Sequence, residues 1–508
     1  MTLDQPKASR APEGFHRRKT LAAFDLLAPQ RIAQQLKIAI LLAIVISVVY
    51  AIGLLIDLTK PPLPNSPLSF IRLIQIPFPA IWHISEVIVL VGWGAAALAG
   101  VLGLIWARVG AAHGAAARAC QLVVLAALFL PFAIFPFATV FGNEGYALLC
   151  VPTTAFALWL VRRMQPHRKL PLHIVFMGFG WGALIAAGFS IAMTSRFAHY
   201  AANVFLEFDL FDLEGMQTRL FTSAALNNAV SSELGKIVGI ALLFMLFRHH
   251  FDDIVSGIVI GAAVGIGANF IESIQVMAAS DATLFNVGGP ASQYWSHQVL
   301  GLMTSHVALG ALAGAGFGAA RQLQGVGQRW IAVLCGCGTA MAGHFASDVI
   351  RIQFLLPRTR WAKESPWFET LAIEALLIAV TTGPFVVMYL ILLRRGIRNQ
   401  AAGLSAQIRA EALSGSGAIT STEIPIIRRS AARFFIRVDT LRSSTLPEFR
   451  HIRKLQAAQL DLVTSRWHRV RGETDPKSPD ESVHRERVLV LKRQHAHPDP
   501  PSTPNATE

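Results

Sequence analysis

The chain has 508 residues, of which 53% are hydrophobic and 15% charged, against about 25% charged in an ordinary soluble domain. With a mean hydropathy of +0.47, it holds more apolar side chain than one water-soluble globule of this size can bury. That excludes wholesale disorder, a secreted soluble enzyme and, with four cysteines all in or beside apolar runs, a disulfide scaffold. Residues 395–508 carry 19 Lys/Arg and 12 Asp/Glu, so the net charge of +14 gathers partly in a soluble tail. Basic cytoplasmic segments beside an anionic leaflet account for it without any nucleic acid.

Along the chain, residues 1–37 form a mostly polar cytoplasmic segment, too long and too polar for a signal peptide. Ten apolar runs follow, near 38–56, 81–106, 119–141, 145–161, 172–194, 222–247, 254–277, 298–320, 330–350 and 370–393, each about long enough to cross a bilayer as a helix. The expected architecture is therefore an all-α polytopic membrane protein with about ten transmembrane helices and a basic soluble C-terminal tail. Basic residues recur in alternate connections: the N-terminus, Arg108 and Arg118, Arg162-Arg163 with Lys169, Arg248, Arg321, and Arg394-Arg395. This pattern predicts both termini on the cytoplasmic side of the cell membrane. The loop at 351–367, with Arg351, Arg358, Arg360 and Lys363, runs against it. The opposite-side loop 195–221 is richer in acids, with Glu207, Asp209, Asp212 and Glu214 against Arg196 and Arg219.

Ionisable groups inside a bilayer cost roughly 2.5–3.5 kcal/mol each on insertion scales, so each needs a reason. Span 6 carries Ser232, Glu233 and Lys236; span 7 carries Glu272, span 8 His306, and span 9 His344 and Asp348. Glu233 and Lys236 are i,i+3 and share a helix face. His344 and Asp348 are i,i+4, which suits a carboxylate orienting an imidazole. Counted from the span ends, Glu272, His306 and His344 reach a similar depth and Glu233 somewhat deeper. Two glutamates and two histidines on four helices define a metal or general-base constellation. Spacing alone equally allows two separate buried pairs that only lock the bundle. Glycines at 257, 261 and 265, and at 310 and 314, form small-residue stripes that let spans 7 and 8 approach closely.

In order and spacing, Ser232-Glu233-Leu234-Gly235-Lys236, Ala268-Asn269-Phe270-Ile271-Glu272 after a glycine-rich helix, His306, and His344 with Asp348 resemble the motifs of the PrsW family of membrane-embedded proteases, relatives of the prenyl-protein-processing proteases. Three positions depart from the family pattern: Ser232 replaces the first of two glutamates, Ala268 a phenylalanine, and Ser256 an aspartate. The resemblance implies an endopeptidase of metallo or glutamic type acting on a membrane-anchored protein, such as an anti-sigma factor, in the lipid bilayer. On that reading Glu233 is the general base, positioned by Lys236. Glu272, His306 and His344 bind zinc or, without metal, orient water and stabilise the oxyanion, and Asp348 orients His344. Two other readings stay open: an inactive relative that binds membrane partners, suggested by Ser232, and a transporter using the Glu/Lys/His set as a proton relay.

The expected domains are the N-terminal segment 1–37, spans 1–5 with their outer loop over 38–221, the protease-like spans over 222–394, and the tail over 395–508. In the tail, a Gly/Ser/Ala-rich linker is expected near 402–421, a helix from Pro447 to about Val470, and disorder from about Gly472. The pair His249-His250 and the residues His83, Glu86 and His297 are read as turn or interface residues.

Overall fold

The computed structural model describes residues 16–59, 79–106, 108, 115–167, 169–208, 213–247, 253–282, 289–323, 325–354, 367–470 and 480–496. Every regular element among them is a helix, as hydrocarbon demands, because a helix satisfies its own backbone polar groups. Among the described residues, nine helices are long and apolar enough to cross a membrane; a further pair, Phe368–Thr381 with Gly383–Leu413, is as apolar but bent by 56° between its halves. Gly383-Pro384 follows the bend, and proline cannot donate into the preceding turn. The protein is thus an all-α, multi-pass membrane protein.

Six helices build the centre. They are α1 (Leu172–Gly180), continued through a π-helical turn at Trp181–Ala186 into α2 (Ala187–Phe208); α3 (Leu213–Leu246); α4 (Ile254–Ala282); α5 (Ser305–Gln322); and α6 (Val326–Gln353). Helix α4 is the hub, with nearly all of its apolar window buried. Gly257 and Gly261 face Gly314 and Gly310 backbone to backbone, and a Cβ at any of the four would overlap the opposite carbonyl. On another face of α4, Gly267 meets Phe179, and Gly182 of the π turn meets Val264. Trp181 Nε1 donates to Gly235 O at 3.0 Å, fastening the same turn to α3.

Several connections differ from the sequence reading. The eighth crossing is interrupted: a short helix (Gly289–Tyr294) and a π turn (Trp295–Leu300) end at Gly301, and α5 restarts at Ser305. Buried Gln298 ties this entry segment down by accepting from Thr153 at 2.6 Å and donating to Ser273 at 2.7 Å. Arg196, expected in an outer loop, is 2% exposed inside the bundle; it donates to Glu86 at 3.0 Å and to Tyr50 at 2.9 Å. Glu86, read as an interface residue, is partly buried and serves as the ion-pair partner of Arg196. The His83 side chain and the pair His249-His250 lie outside the described residues.

The tail is a folded helical unit. Helix α7 (Gly383–Leu413) runs from the membrane into it without a linker. It packs on α9 (Leu446–Val470), which in turn packs against α8 (Ser430–Ser443) and α10 (Glu481–Ala496). Leu404, Ile408, Leu460, Leu462, Val463 and Val488 are buried there. The expectation of disorder thus fails over 481–496, where Val488 is buried and Arg485 holds buried Glu411 at 2.7 Å. Gly396 packs on Val255, at the start of α4, and Gln35 donates to Met245 O at the end of α3 at 2.8 Å. The tail unit, residue 35 and the start of α4 therefore share one end of the bundle.

Candidate active site

The polar residues singled out in the sequence converge. On α3, Glu233 and Lys236 are fully buried, and Lys236 Nζ donates to Glu233 Oε1 at 2.5 Å. The same Oε1 lies 2.7 Å from His344 Nδ1 of α6, and Lys236 Nζ lies 2.9 Å from His306 Nδ1 of α5. His306 Nε2 meets Glu272 Oε2 of α4. The two imidazoles stand edge to face with centroids 5.1 Å apart. His344 Nε2 is 3.6 Å from Asp348 Oδ2. What spacing left as two separate pairs is one connected network across four helices.

Helix phase decides which groups face open space. A cavity of about 390 Å³ is walled by α2, α3, α4 and the ends of α5 and α6, with Asn228, Ser232, Glu272, His306 and Asp348 on its surface. Alanines on α2, α3 and α4 make up much of the rest and leave the room. Ser232 lies on the wall, whereas Glu233, one residue and 100° further round α3, points under the histidines and is not on it. Its Oε2 is buried with no hydrogen-bond partner among the described residues.

Sequence reasoning missed Asn228. Its Nδ2 donates to Asp348 Oδ2 at 2.8 Å and lies 3.4 Å from His344 Nε2. The signal was available: Asn228 precedes Ser232 by four residues and so shares its face. His297, read as an interface residue, sits in the π turn before α5, and its carbonyl lies 3.4 Å from Asn269 Nδ2 of α4.

Hydrogen-bond direction constrains the chemistry. An ammonium only donates, so with Lys236 charged, His306 Nδ1 accepts and Nε2–H points to Glu272. The Glu233 carboxylate only accepts, so His344 Nδ1 carries a proton and leaves Nε2 facing Asn228 and Asp348. A carboxylate behind a histidine is the usual support for a metal-binding imidazole. Glu233, His306 and His344 can bring one ligand atom each to within 4.8 Å of one another, and a Glu/His/His donor set fits zinc in type. Lys236 Nζ, however, lies against two of those three residues and already supplies a cation between them. Glu272, His306 and His344 form the alternative donor set, with Glu272 and His306 on the cavity wall. A metal on His306 Nε2 there requires the Lys236–His306 hydrogen bond to reverse.

Buried carboxylates and imidazoles around a cavity within an apolar helical bundle define the class: a membrane-embedded site built for acid–base work or metal binding. Comparison with known proteins makes this particular. Residues 170–358 match the model of the PrsW family intramembrane metalloprotease, a match that supports a membrane protease. No curated protein and no solved structure matches the chain. The match starts at Leu170 and so takes in α1 and α2, a span earlier than the motifs alone reach. The Trp181–Gly235 hydrogen bond and the Gly182–Val264 contact give the physical reason.

Proposed function

We propose that this protein is an intramembrane endopeptidase that hydrolyses membrane-anchored proteins with Glu272 as the base. One observation carries the reading: Glu272 and His306 meet on the wall of a cavity, whereas Glu233 is sealed behind it. Water at the wall gives a proton to Glu272 as its oxygen attacks the scissile carbonyl carbon. His306 Nε2–H holds Glu272 in place. The second Asn228 Nδ2–H serves the developing oxyanion, and the amide nitrogen takes the proton back from Glu272 as the C–N bond breaks. Glu233 and Lys236 position the two histidines from beneath. In a metal-bound form, which would replace Glu272 as the base, a divalent metal, zinc by donor type, would be held by Glu272, His306 and His344 and would supply Lewis acidity at the carbonyl.

The charge pattern supports an orientation in which both termini face the cytoplasm and the cavity opens near the outer face of the cell membrane. Glu272 lies 17 residues along α4 from Val255, roughly 25 Å from the end that carries the tail unit. The protease unit on this reading runs from about Leu170 through α6.

The test is cleavage of a single-span reporter by protein reconstituted in liposomes. Glu272→Gln should lower the rate by roughly 10²–10⁴-fold, while Ser232→Ala should retain most of it. An unaffected Glu272→Gln enzyme overturns the assignment of the base. Metal analysis of the same preparations decides the metal: zinc bound by wild type and lost in His344→Ala supports it, and metal-free wild type that cleaves removes it.

A further inference from the structure

The end of the molecule remote from the cavity holds a second built site. The connection at 162–171, between the fourth and fifth crossings, lies against α8 and α9 of the tail unit. Arg433 Nη2 donates to Pro166 O at 2.7 Å, fixing the two parts together. Between them is a cleft of about 1150 Å³. Eight lysines and arginines line it, and Asp461 is the single carboxylate among the described lining residues. Asp461 is 3.7 Å from Arg487, so one acid faces eight cations. The cations come from three separate stretches of chain: Arg163 from the fourth crossing, Lys169 from the loop, and Arg437, Arg453 and Lys454 from the tail.

This arrangement is costly without a counter-ion. Burial first, then Arg163, Arg162, Arg437 and Arg453, push the Lys169 ammonium below its ordinary value. Burial first, then Arg453 and Arg163, do the same to Arg437. His167 is pushed down to about 4 by burial and by Arg433. A fold that gathers like charges from separate stretches of chain, and leaves them repelling one another, is matched to an anion. The aromatic residues beside the cleft fit a membrane surface. The Arg163 guanidinium lies 5.1 Å from the centroid of Trp159, and exposed Trp159 is stacked on exposed Phe156, as aromatic residues at a lipid–water boundary are. Exposed Phe434 and Phe435 flank the cleft on α8.

We propose that this cleft binds a phosphate-bearing anion, presented either as the headgroup of an anionic phospholipid or as a soluble phosphate. Arg163, Lys169, Arg437, Arg453 and Lys454 would receive it, and Trp159 with the two phenylalanines would lie along a lipid's first methylenes. The inference does not rest on the protease reading, because none of these residues belongs to the cavity 17 residues along α4.

The test uses the full-length protein in neutral detergent. Its thermal unfolding and calorimetric titration are followed with dioctanoyl phosphatidic acid, with inorganic pyrophosphate, and with dioctanoyl phosphatidylcholine as the zwitterionic control. At least one of the two anionic probes should bind saturably and raise the melting temperature, and the control should do neither. Response to the lipid alone assigns the headgroup source; comparable response to pyrophosphate assigns the soluble one. Arg437→Gln with Arg453→Gln should weaken binding at least about tenfold, and the ligand-free melting temperature should stay level or rise as crowding is relieved. Lys169→Gln, in the loop rather than the tail helices, should weaken binding in the same direction. Absence of saturable binding by either anionic probe, or equal binding by wild type and both variants, overturns the proposal.

Discussion

Replacing Lys236 by methionine isolates the buried ion pair at the heart of the network. Glu233 and Lys236 are both fully buried and 2.5 Å apart. Without the ammonium, Glu233 keeps only His344 Nδ1, at 2.7 Å, against the desolvation of a full charge. Breaking a buried pair from one side costs ~3–5 kcal/mol, whereas replacing both members by apolar residues of similar volume is often close to neutral. Here the pair is tied to both histidines, so Glu233→Leu with Lys236→Met strands His344 Nδ1 and His306 Nδ1, each a loss of about 1–3 kcal/mol if it finds no water. The double variant should therefore be no less stable than the worse single variant, and far more stable than independent losses allow. Reversible unfolding in mixed micelles, followed by tryptophan fluorescence, measures all four corners of this cycle. Single-variant losses that add to the double-variant loss within about 0.5 kcal/mol would show that the two side chains do not act as a unit, and the network argument would fall.

Asn228→Ala removes the donor to Asp348 and the neighbour of His344 Nε2; cleavage should fall roughly 10–100-fold, and a full rate would exclude Asn228 from the site. In the tail unit, hydrogen bonds from Arg485 first, then Ser416, with the charges of Arg485 and Arg466, hold Glu411 down to about 2 from its ordinary 4.5, against the opposing effect of burial. A depressed carboxylate stabilises the fold above its unfolded value, and that stability, roughly 3 kcal/mol, should be lost as pH falls from about 4.5 towards 2. Glu411→Gln should flatten this acid limb, and coincident wild-type and variant profiles would refute the assignment. For orientation, cysteines placed at Glu144 and Gln328 in a cysteine-free background should differ: the first reacts with an impermeant reagent in intact cells and the second does not, and the reverse pattern would invert the topology.

The parts of this molecule that the sequence made legible are those governed by one helix at a time. Apolar length located the crossings, the i,i+3 spacing paired Glu233 with Lys236, the i,i+4 spacing placed His344 beside Asp348, and the glycine stripes marked where α4 and α5 touch. Partnership across helices is a matter of rotation about each helix axis. One residue is 100°, and no pattern within α3 says whether Ser232 or Glu233 turns to the cavity. That choice is fixed from outside α3, where Gly235 meets Ala186 and Gly239 meets the Trp181 ring. The same limit explains the tail. Glu411 is satisfied by Arg466 and Arg485, 55 and 74 residues away, so local composition there reads as a solvated, charged stretch although the fold buries it. Asn228 is the instructive middle case: its face was known from Ser232, but an asparagine carries no charge to demand an explanation in a bilayer, so its value emerges only once α6 brings Asp348 opposite. In a helical membrane site, then, the ionisable residues announce which helices matter, and the small residues that set helix phase decide which of those groups can reach a substrate.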